Sequence, residues 1–191
     1  MLWVIMHGNC ELAMSEVSDR LLYLLSEERC MRAKKKRQLE RRLSSLPKHY
    51  PDNDVLIEAL TDTKLGNQCG EYLNRLGYKY RGFLSLSVLG EYNLIVFRDS
   101  KTDEDVDYAL RFLYDMIKRK KIAFGCPKVS TYEIIGRMRQ VETRLESLDA
   151  LHLATAVDNG ANVFVTFDKT LMNSKRLEKE FHTRIMHPRD L

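Results

Sequence analysis

Long apolar runs are missing from this chain, and so is any obvious leader. No stretch approaches the roughly 20 consecutive apolar residues that a membrane helix needs. Leu2-Trp3-Val4-Ile5-Met6 is too short for the core of a secretory signal, and no small-residue cleavage site follows it. The expectation is a cytoplasmic protein without membrane engagement. Cysteine is sparse as well: Cys10, Cys30, Cys69 and Cys126 are scattered, with no CxxC pair. That spacing argues against a zinc knuckle and a disulfide scaffold, and it suits a reducing compartment. Internal repeats are lacking, and the one low-complexity tract is a basic run. Neither sign of charge dominates. The formal net charge of +4 is mild, so the distribution of charge matters more than its total.

What is present is the material of a soluble globular protein. With 191 residues, 44% of them hydrophobic, the chain can build one domain with a sizeable core and an appendage. The basic residues are clustered. Arg29, Arg32, Lys34, Lys35, Lys36, Arg37, Arg41 and Arg42 crowd one segment, opposed mainly by Glu40, and Lys118-Arg119-Lys120-Lys121 forms a smaller group. Such blocks suit a polyanion, because Lys and Arg contacts to phosphates supply most sequence-independent affinity for nucleic acid. A solvated helix face accounts for a single cluster equally well.

Along the chain, residues 1–46 read as a basic, helical N-terminal extension, with a helix over 11–25 before the basic run. Pro47 and Pro51 bracket a break, and residues 47–191 read as one domain. Val55–Leu60 begins a helix, after which Gly66, Gly70, Gly77 and Gly82 punctuate the chain. Phe83-Leu84-Ser85-Leu86-Ser87-Val88-Leu89 alternates as a strand does, with a helix opening at Gly90-Glu91-Tyr92. Helices are expected over 106–118, 130–145 and 171–181, and short strands at 122–124 and 184–186. Strands alternating with helices predict an α/β fold of three layers, α/β/α, around a mostly parallel sheet.

The densest signal is near the C-terminus. Leu148-Asp149-Ala150-Leu151-His152-Leu153-Ala154-Thr155-Ala156 is a helix apolar almost all round, capped by Ser147 and closed by Gly160, and so buried. Val163-Phe164-Val165-Thr166-Phe167-Asp168 follows as a short apolar strand with an aspartate at its end. Ligands in α/β sheets collect at the carboxyl ends of strands. Asp52, Glu91, Asp149 and Asp168 all fall at strand ends or helix starts on that side. Their mutual repulsion calls for a counter-ion, and a hard divalent cation such as Mg²⁺ or Mn²⁺ accepts oxygen ligands.

These residues resemble the PIN-domain family of metal-dependent nucleases. Asp52-Asn53-Asp54-Val55-Leu56-Ile57 is similar to the family's opening aspartate motif, and Ser87-Val88-Leu89-Gly90-Glu91 to its glutamate after a strand. Asp149–Ala154 and Val165-Thr166-Phe167-Asp168 match its closing motifs. The resemblance spans roughly residues 47–191. It implies that Asp52, Glu91, Asp149 and Asp168 are the catalytic carboxylates and hold Mg²⁺ or Mn²⁺ for hydrolysis of phosphodiester bonds. Thr166 is a supporting residue, placed to hydrogen-bond a carboxylate or a metal-bound water. A departure lies in Pro51, since proline removes a ladder hydrogen bond from a central strand. Either that strand is distorted or Asp54 takes the place of Asp52.

Each carboxylate taken singly has an ordinary account. Asp149 and Glu91 suit the first turn of a helix, and Asp168 suits a helix cap. Their joint occurrence in one family's order favours the site. His152, one turn from Asp149, is read as a hydrogen-bonded core residue, and Tyr78, Tyr80 and Phe83, with Lys79 and Arg81, as loop packing. The resemblance implies an endoribonuclease, hydrolysing single-stranded or structured RNA, either toxin-like or RNA-processing. Implied partners are RNA, contacted by Arg32, Lys34, Lys35, Lys36, Arg37, Arg41 and Arg42, an antitoxin-like inhibitor protein, and a second copy in a homodimer. The alternative is a non-catalytic RNA-binding module on the same fold, and DNA as substrate is a further variant. The extension itself stands open between an RNA-binding arm, a docking helix, and a segment ahead of a start at an internal methionine.

Overall fold

The computed structural model describes residues 33–119 and 122–191. The helix expected over 11–25, Arg32, and Lys120-Lys121 lie outside the described residues. Residues 33–45 are helical and carry Lys34, Lys35, Lys36, Arg37, Arg41 and Arg42 on largely exposed positions. From Leu43 to Leu191 the chain forms one compact unit.

That unit is built on five parallel strands in the order β3-β2-β1-β4-β5. They are β1 (Lys48–Pro51), β2 (Arg81–Ser85), β3 (Ile122–Gly125), β4 (Val163–Val165) and β5 (Arg184–Met186). The helices are α1 (Asn53–Glu58), α2 (Lys64–Arg75), α3 (Leu86–Asp99), α4 (Asp103–Lys118), α5 (Val129–Val141), α6 (Ser147–Asp158), α7 (Lys169–Asn173) and α8 (Lys175–Phe181). A parallel sheet needs crossover connections, and the helices supply them on both faces. The expected three-layer α/β/α architecture is therefore what the chain adopts, with every strand pair parallel.

The order of strands sets the position of the site. The chain first moves outward from β1 through β2 to β3, then returns to lay β4 and β5 on the other flank of β1. The order in which strands are added reverses between β1 and β4, which opens a crevice at their carboxyl ends. Beneath it Tyr50 of β1 stacks on Phe164 of β4, with ring centroids 5.3 Å apart. The Tyr50 hydroxyl shares a 2.7 Å hydrogen bond with Ser85, so this buried polar atom is satisfied.

Pro51 does sit in the central strand, and the register explains how. The Asp52 amide donates to the Val165 carbonyl at 2.8 Å, so in β1 the even-numbered residues bond toward β4. The missing Pro51 N–H faces β2, where the β1–β2 pairing has already ended at His49 and Gly82. The cost of the proline falls on the β2 side alone, and β1 keeps its pairing to β4 through Pro51 and Val165.

Several boundaries differ from the sequence expectation. β2 ends at Ser85 rather than Leu89, and α3 starts at once, because the Ser85 hydroxyl accepts from the Val88 amide at 3.2 Å as an N-cap. Glu91 is thus inside α3 and not one residue past a strand. Helix α2 was hidden by Gly66 and Gly70. Gly66 is required there, since a Cβ would collide with the Thr61 carbonyl, and its amide bonds to Thr63 at 2.8 Å. The helix expected over 130–145 stops at Val141, and the one over 171–181 breaks at Ser174 into α7 and α8. α6 begins with Glu146, not Ser147, at the N-cap, and Gly160 does close it, at a left-handed φ of 69°. The apolar run from Val163 is extended only to Val165. The strand at Arg184–Met186 falls where expected.

Of the aromatic–basic segment after α2, Tyr80 and Phe83 pack as anticipated, whereas Tyr78 is exposed. Tyr80 stacks on His49 at 4.0 Å and donates its hydroxyl to the Leu191 carbonyl at 2.7 Å. Phe83 lies against Tyr50, with the Lys48 ammonium 5.3 Å above its ring.

Candidate metal centre

Asp52 is the residue after β1 and the N-cap of α1. Its Oδ1 accepts from the Asn53 amide at 2.9 Å, and the side chain is almost entirely buried. Glu91 enters from the second turn of α3. That face follows from Val88, Tyr92 and Val96, buried at spacings of four, which fix the rotation of the helix. Asp149 lies in the first turn of α6, a helix buried along Ala150, His152, Leu153, Ala154, Thr155 and Ala156. Asp168 follows β4 by three residues and caps α7, accepting from the Leu171 amide at 2.9 Å.

These four side chains line one cavity of about 520 Å³, together with Asn53, Asp54, Arg144, Glu146, His152, Phe167, Lys169 and Thr170. The structure brings together the four carboxylates that the sequence reading singled out, and Glu91 lies in the helix that reading expected to open at Gly90, which begins earlier, at Leu86. It did not single out Arg144, Glu146 or Lys169. Lys169 was marked only by adjacency to Asp168. Glu146, three residues before Asp149, was marked only by its helix-cap position.

Asp52 and Asp54 both line the cavity, in different hydrogen-bonding surroundings. Asp54 Oδ2 accepts from the Thr166 hydroxyl at 2.9 Å and the Phe167 amide at 3.1 Å, while Oδ1 accepts from the Val55 amide. Thr166 Oγ1 in turn accepts from the Asp168 amide at 3.1 Å. Thr166 thus ties the start of α1 to the turn that presents Asp168, the supporting position expected of it. Both Asp54 oxygens accept hydrogen bonds, whereas the hydrogen bonds of Asp52 are to Oδ1.

His152 stands between two of the carboxylates. Its Nδ1 is 3.2 Å from Asp52 Oδ1 and its Nε2 is 3.6 Å from Glu91 Oε2. Nε2 and Glu91 Oε2 are buried and have no hydrogen-bond partner among the described residues.

The electrostatics match crowded acids short of cations. Burial pushes the Asp149 carboxyl up to about 6, and the charges of Asp52, Asp168 and Glu146 push the same way, with His152 opposing. Burial, then the Asp52 charge, raises Asp54. Among the described residues no Lys or Arg forms an ion pair with Asp52, Glu91, Asp149 or Asp168. Arg144 reaches the rim but is held by Glu142 at 3.1 Å.

An all-oxygen set with an orphaned Glu91 oxygen and repelling neighbours has the chemistry of a Mg²⁺ or Mn²⁺ site. Among the described residues, no three acidic, His or Cys side chains stand at the spacing of ligands to one ion, so loading would draw them together or engage them through water.

Comparison with known proteins agrees with the architecture. No curated protein matches the chain. Among solved structures it is similar to VapBC2 from Rickettsia felis bound to a DNA fragment from its promoter. That match has 17% identity and a TM-score of 0.54, and covers 73% of this chain and 98% of that one. It is also similar to FitAcB from Neisseria gonorrhoeae, at 15% identity and a TM-score of 0.54, covering 75% of this chain and 99% of that one. VapBC-1 from nontypeable Haemophilus influenzae matches at 14% identity and a TM-score of 0.51, covering 74% and 98%. At such identities the likeness speaks for the fold. The family model described as PIN domain matches residues 49–176, which takes in Asp52, Glu91, Asp149 and Asp168. Since that match extends over well more than half of its length, the chain belongs to the PIN domain family.

Proposed function

We propose that this protein is a divalent-metal-dependent endoribonuclease of toxin-like or RNA-processing type, with Asp52, Glu91, Asp149 and Asp168 as the metal-holding catalytic carboxylates. The observation that carries the reading is the convergence of those four side chains, from four separate elements, on one cavity at the topological switch point of a parallel sheet. Membership of the family supports the reaction class. A bound Mg²⁺ or Mn²⁺ supplies Lewis acidity toward a phosphoryl oxygen and makes water a stronger acid.

The chain's own residues do the remainder. Asp52, Glu91, Asp149 and Asp168 present their oxygens to the cavity as the donors for the ion. Thr166 and Asp54 fix the turn that carries Asp168. Arg144 and Lys169 lie on the same lining, where a cation binds the backbone phosphate of a strand entering an otherwise acidic cleft. The basic residues of the 33–45 helix suit the same polyanion.

An inhibitor protein of antitoxin type and a homodimer belong to this proposal. Their support is the likeness to the VapBC and FitAcB structures and the exposed apolar side chains Leu94, Phe97, Tyr108 and Tyr114 on α3 and α4. Among the described residues no helix is long and apolar enough to cross a membrane.

The substrate class is tested by incubating the purified chain with single-stranded RNA and with DNA of the same sequence, each with Mn²⁺. Cleavage of RNA alone is the expected result. Cleavage of DNA alone would overturn the choice of RNA, and binding of RNA without cutting would favour the non-catalytic module.

A further inference from the structure

We infer that His152 is a positioning residue of the metal centre, a strut between Asp52 and Glu91 that keeps each carboxylate in place on the cavity wall; the inference rests on the reading of the cavity as a metal site. The geometry is specific. The imidazole is 1% exposed and projects from α6 between the N-cap of α1 and the second turn of α3. One ring nitrogen lies within hydrogen-bond distance of Asp52, at 3.2 Å, and the other faces Glu91 at 3.6 Å.

A core histidine has no need of this placement. Buried imidazoles are usually satisfied by a backbone carbonyl or a hydroxyl, but here the partners are two carboxylates of the site, and the approach to Glu91 stops short of a hydrogen bond. Without the ring, Asp52 and Glu91 would face one another across a buried gap, and two like charges there would swing apart. The ring instead stands between the two charges and holds Asp52 by a hydrogen bond. A ligating carboxylate held by a hydrogen bond from outside the coordination sphere is a general feature of metal sites, and loss of such partners costs about 10–100-fold in affinity. Helix α6 thereby contributes twice, through Asp149 as a ligand and through His152, three residues on and on the same face, as the spacer.

The test is Mn²⁺ titration by calorimetry of the full chain, comparing wild type with His152→Leu, His152→Gln and Asp149→Asn, alongside the thermal melt of each without metal. The expected result is Mn²⁺ binding weakened about 10–100-fold in His152→Leu. His152→Gln, which keeps an amide donor, should recover part of that loss while melting close to wild type. Wild-type affinity in a folded His152→Leu chain would overturn the inference, as would His152→Gln binding no better than His152→Leu. If His152→Leu does not fold, the Gln variant decides, and affinity equal to wild type or a loss as deep as that of Asp149→Asn would each count against a strut. Electron spin echo spectroscopy of the Mn²⁺-loaded wild type should show no directly coordinated ¹⁴N, and its presence would make His152 a ligand instead. Wild type that binds no Mn²⁺ at all would instead defeat the metal-site reading beneath it.

Discussion

Asp149 carries the cost of the site most visibly, because a carboxyl held up at about 6 by burial and by Asp52 and Asp168 binds its proton more tightly folded than unfolded. For a carboxyl with a raised folded value, stability is lost as pH rises from the unfolded value near 4 through the folded value. The metal-free protein should therefore lose stability between about pH 4 and pH 6.5, and Asp149→Asn should lose less. Allowing for solvent screening in a half-open cavity, the gain in the variant at pH 7.5 is about 1 kcal/mol. A melt should show it as a rise of about 2–4 °C at pH 7.5 and no rise at pH 3.5. A variant that melts below wild type at pH 7.5 would contradict the crowding. At this scale the sequence was informative for Asp149 and Asp168 because of their joint place in one family's motif order, each alone suiting a helix start or cap. The division of labour between Asp52 and Asp54 was not visible, since it depends on Thr166 and the Phe167 amide, more than 100 residues away in the chain.

Among the elements, α3 is the one whose limits matter most to the chemistry. Ser85 ends β2, caps α3 and satisfies the buried Tyr50 hydroxyl. Ser85→Ala removes all of this at once and should cost about 1–3 kcal/mol, read as a lower urea midpoint with an unchanged slope. A midpoint within error of wild type would show that the cap is dispensable. The same serine explains why the helix that carries Glu91 was expected to start at Gly90 and not at Leu86. Leu84-Ser85-Leu86-Ser87-Val88 alternates with period two, yet Val88, Tyr92 and Val96 also recur at helical spacing, and only the cap decides where one period gives way to the other. The short helices α7 and α8 were read as one for a similar reason, as their pattern is continuous across Ser174. The β5 edge shows a further device invisible in sequence: the Ile185 amide, free at the sheet margin, is taken by the Glu178 carboxylate at 2.8 Å.

On the scale of the molecule, the fold places acids and bases in different parts of the chain, with carboxylates at the switch point and a dense run of Lys and Arg in the 33–45 helix. Parallel topology was legible because strands and helices alternate, whereas strand order was not, because it depends on how the return from β3 to β4 crosses the sheet. We propose that the first 46 residues serve the substrate rather than the reaction. Their deletion should weaken RNA binding and flatten its dependence on salt, the logarithmic slope falling by about 0.7 for each single-strand phosphate that the basic run neutralises. An unchanged slope in filter binding would assign the run to solvation. The central claim is most directly tested by cleavage of a mixed single-stranded RNA pool with Mg²⁺, with Mn²⁺ and with EDTA, for wild type and Asp168→Asn side by side. Metal-dependent cutting by wild type, abolished by EDTA and in the folded variant, is the predicted result. Equal cutting by Asp168→Asn, or cutting that persists in EDTA, would contradict the account.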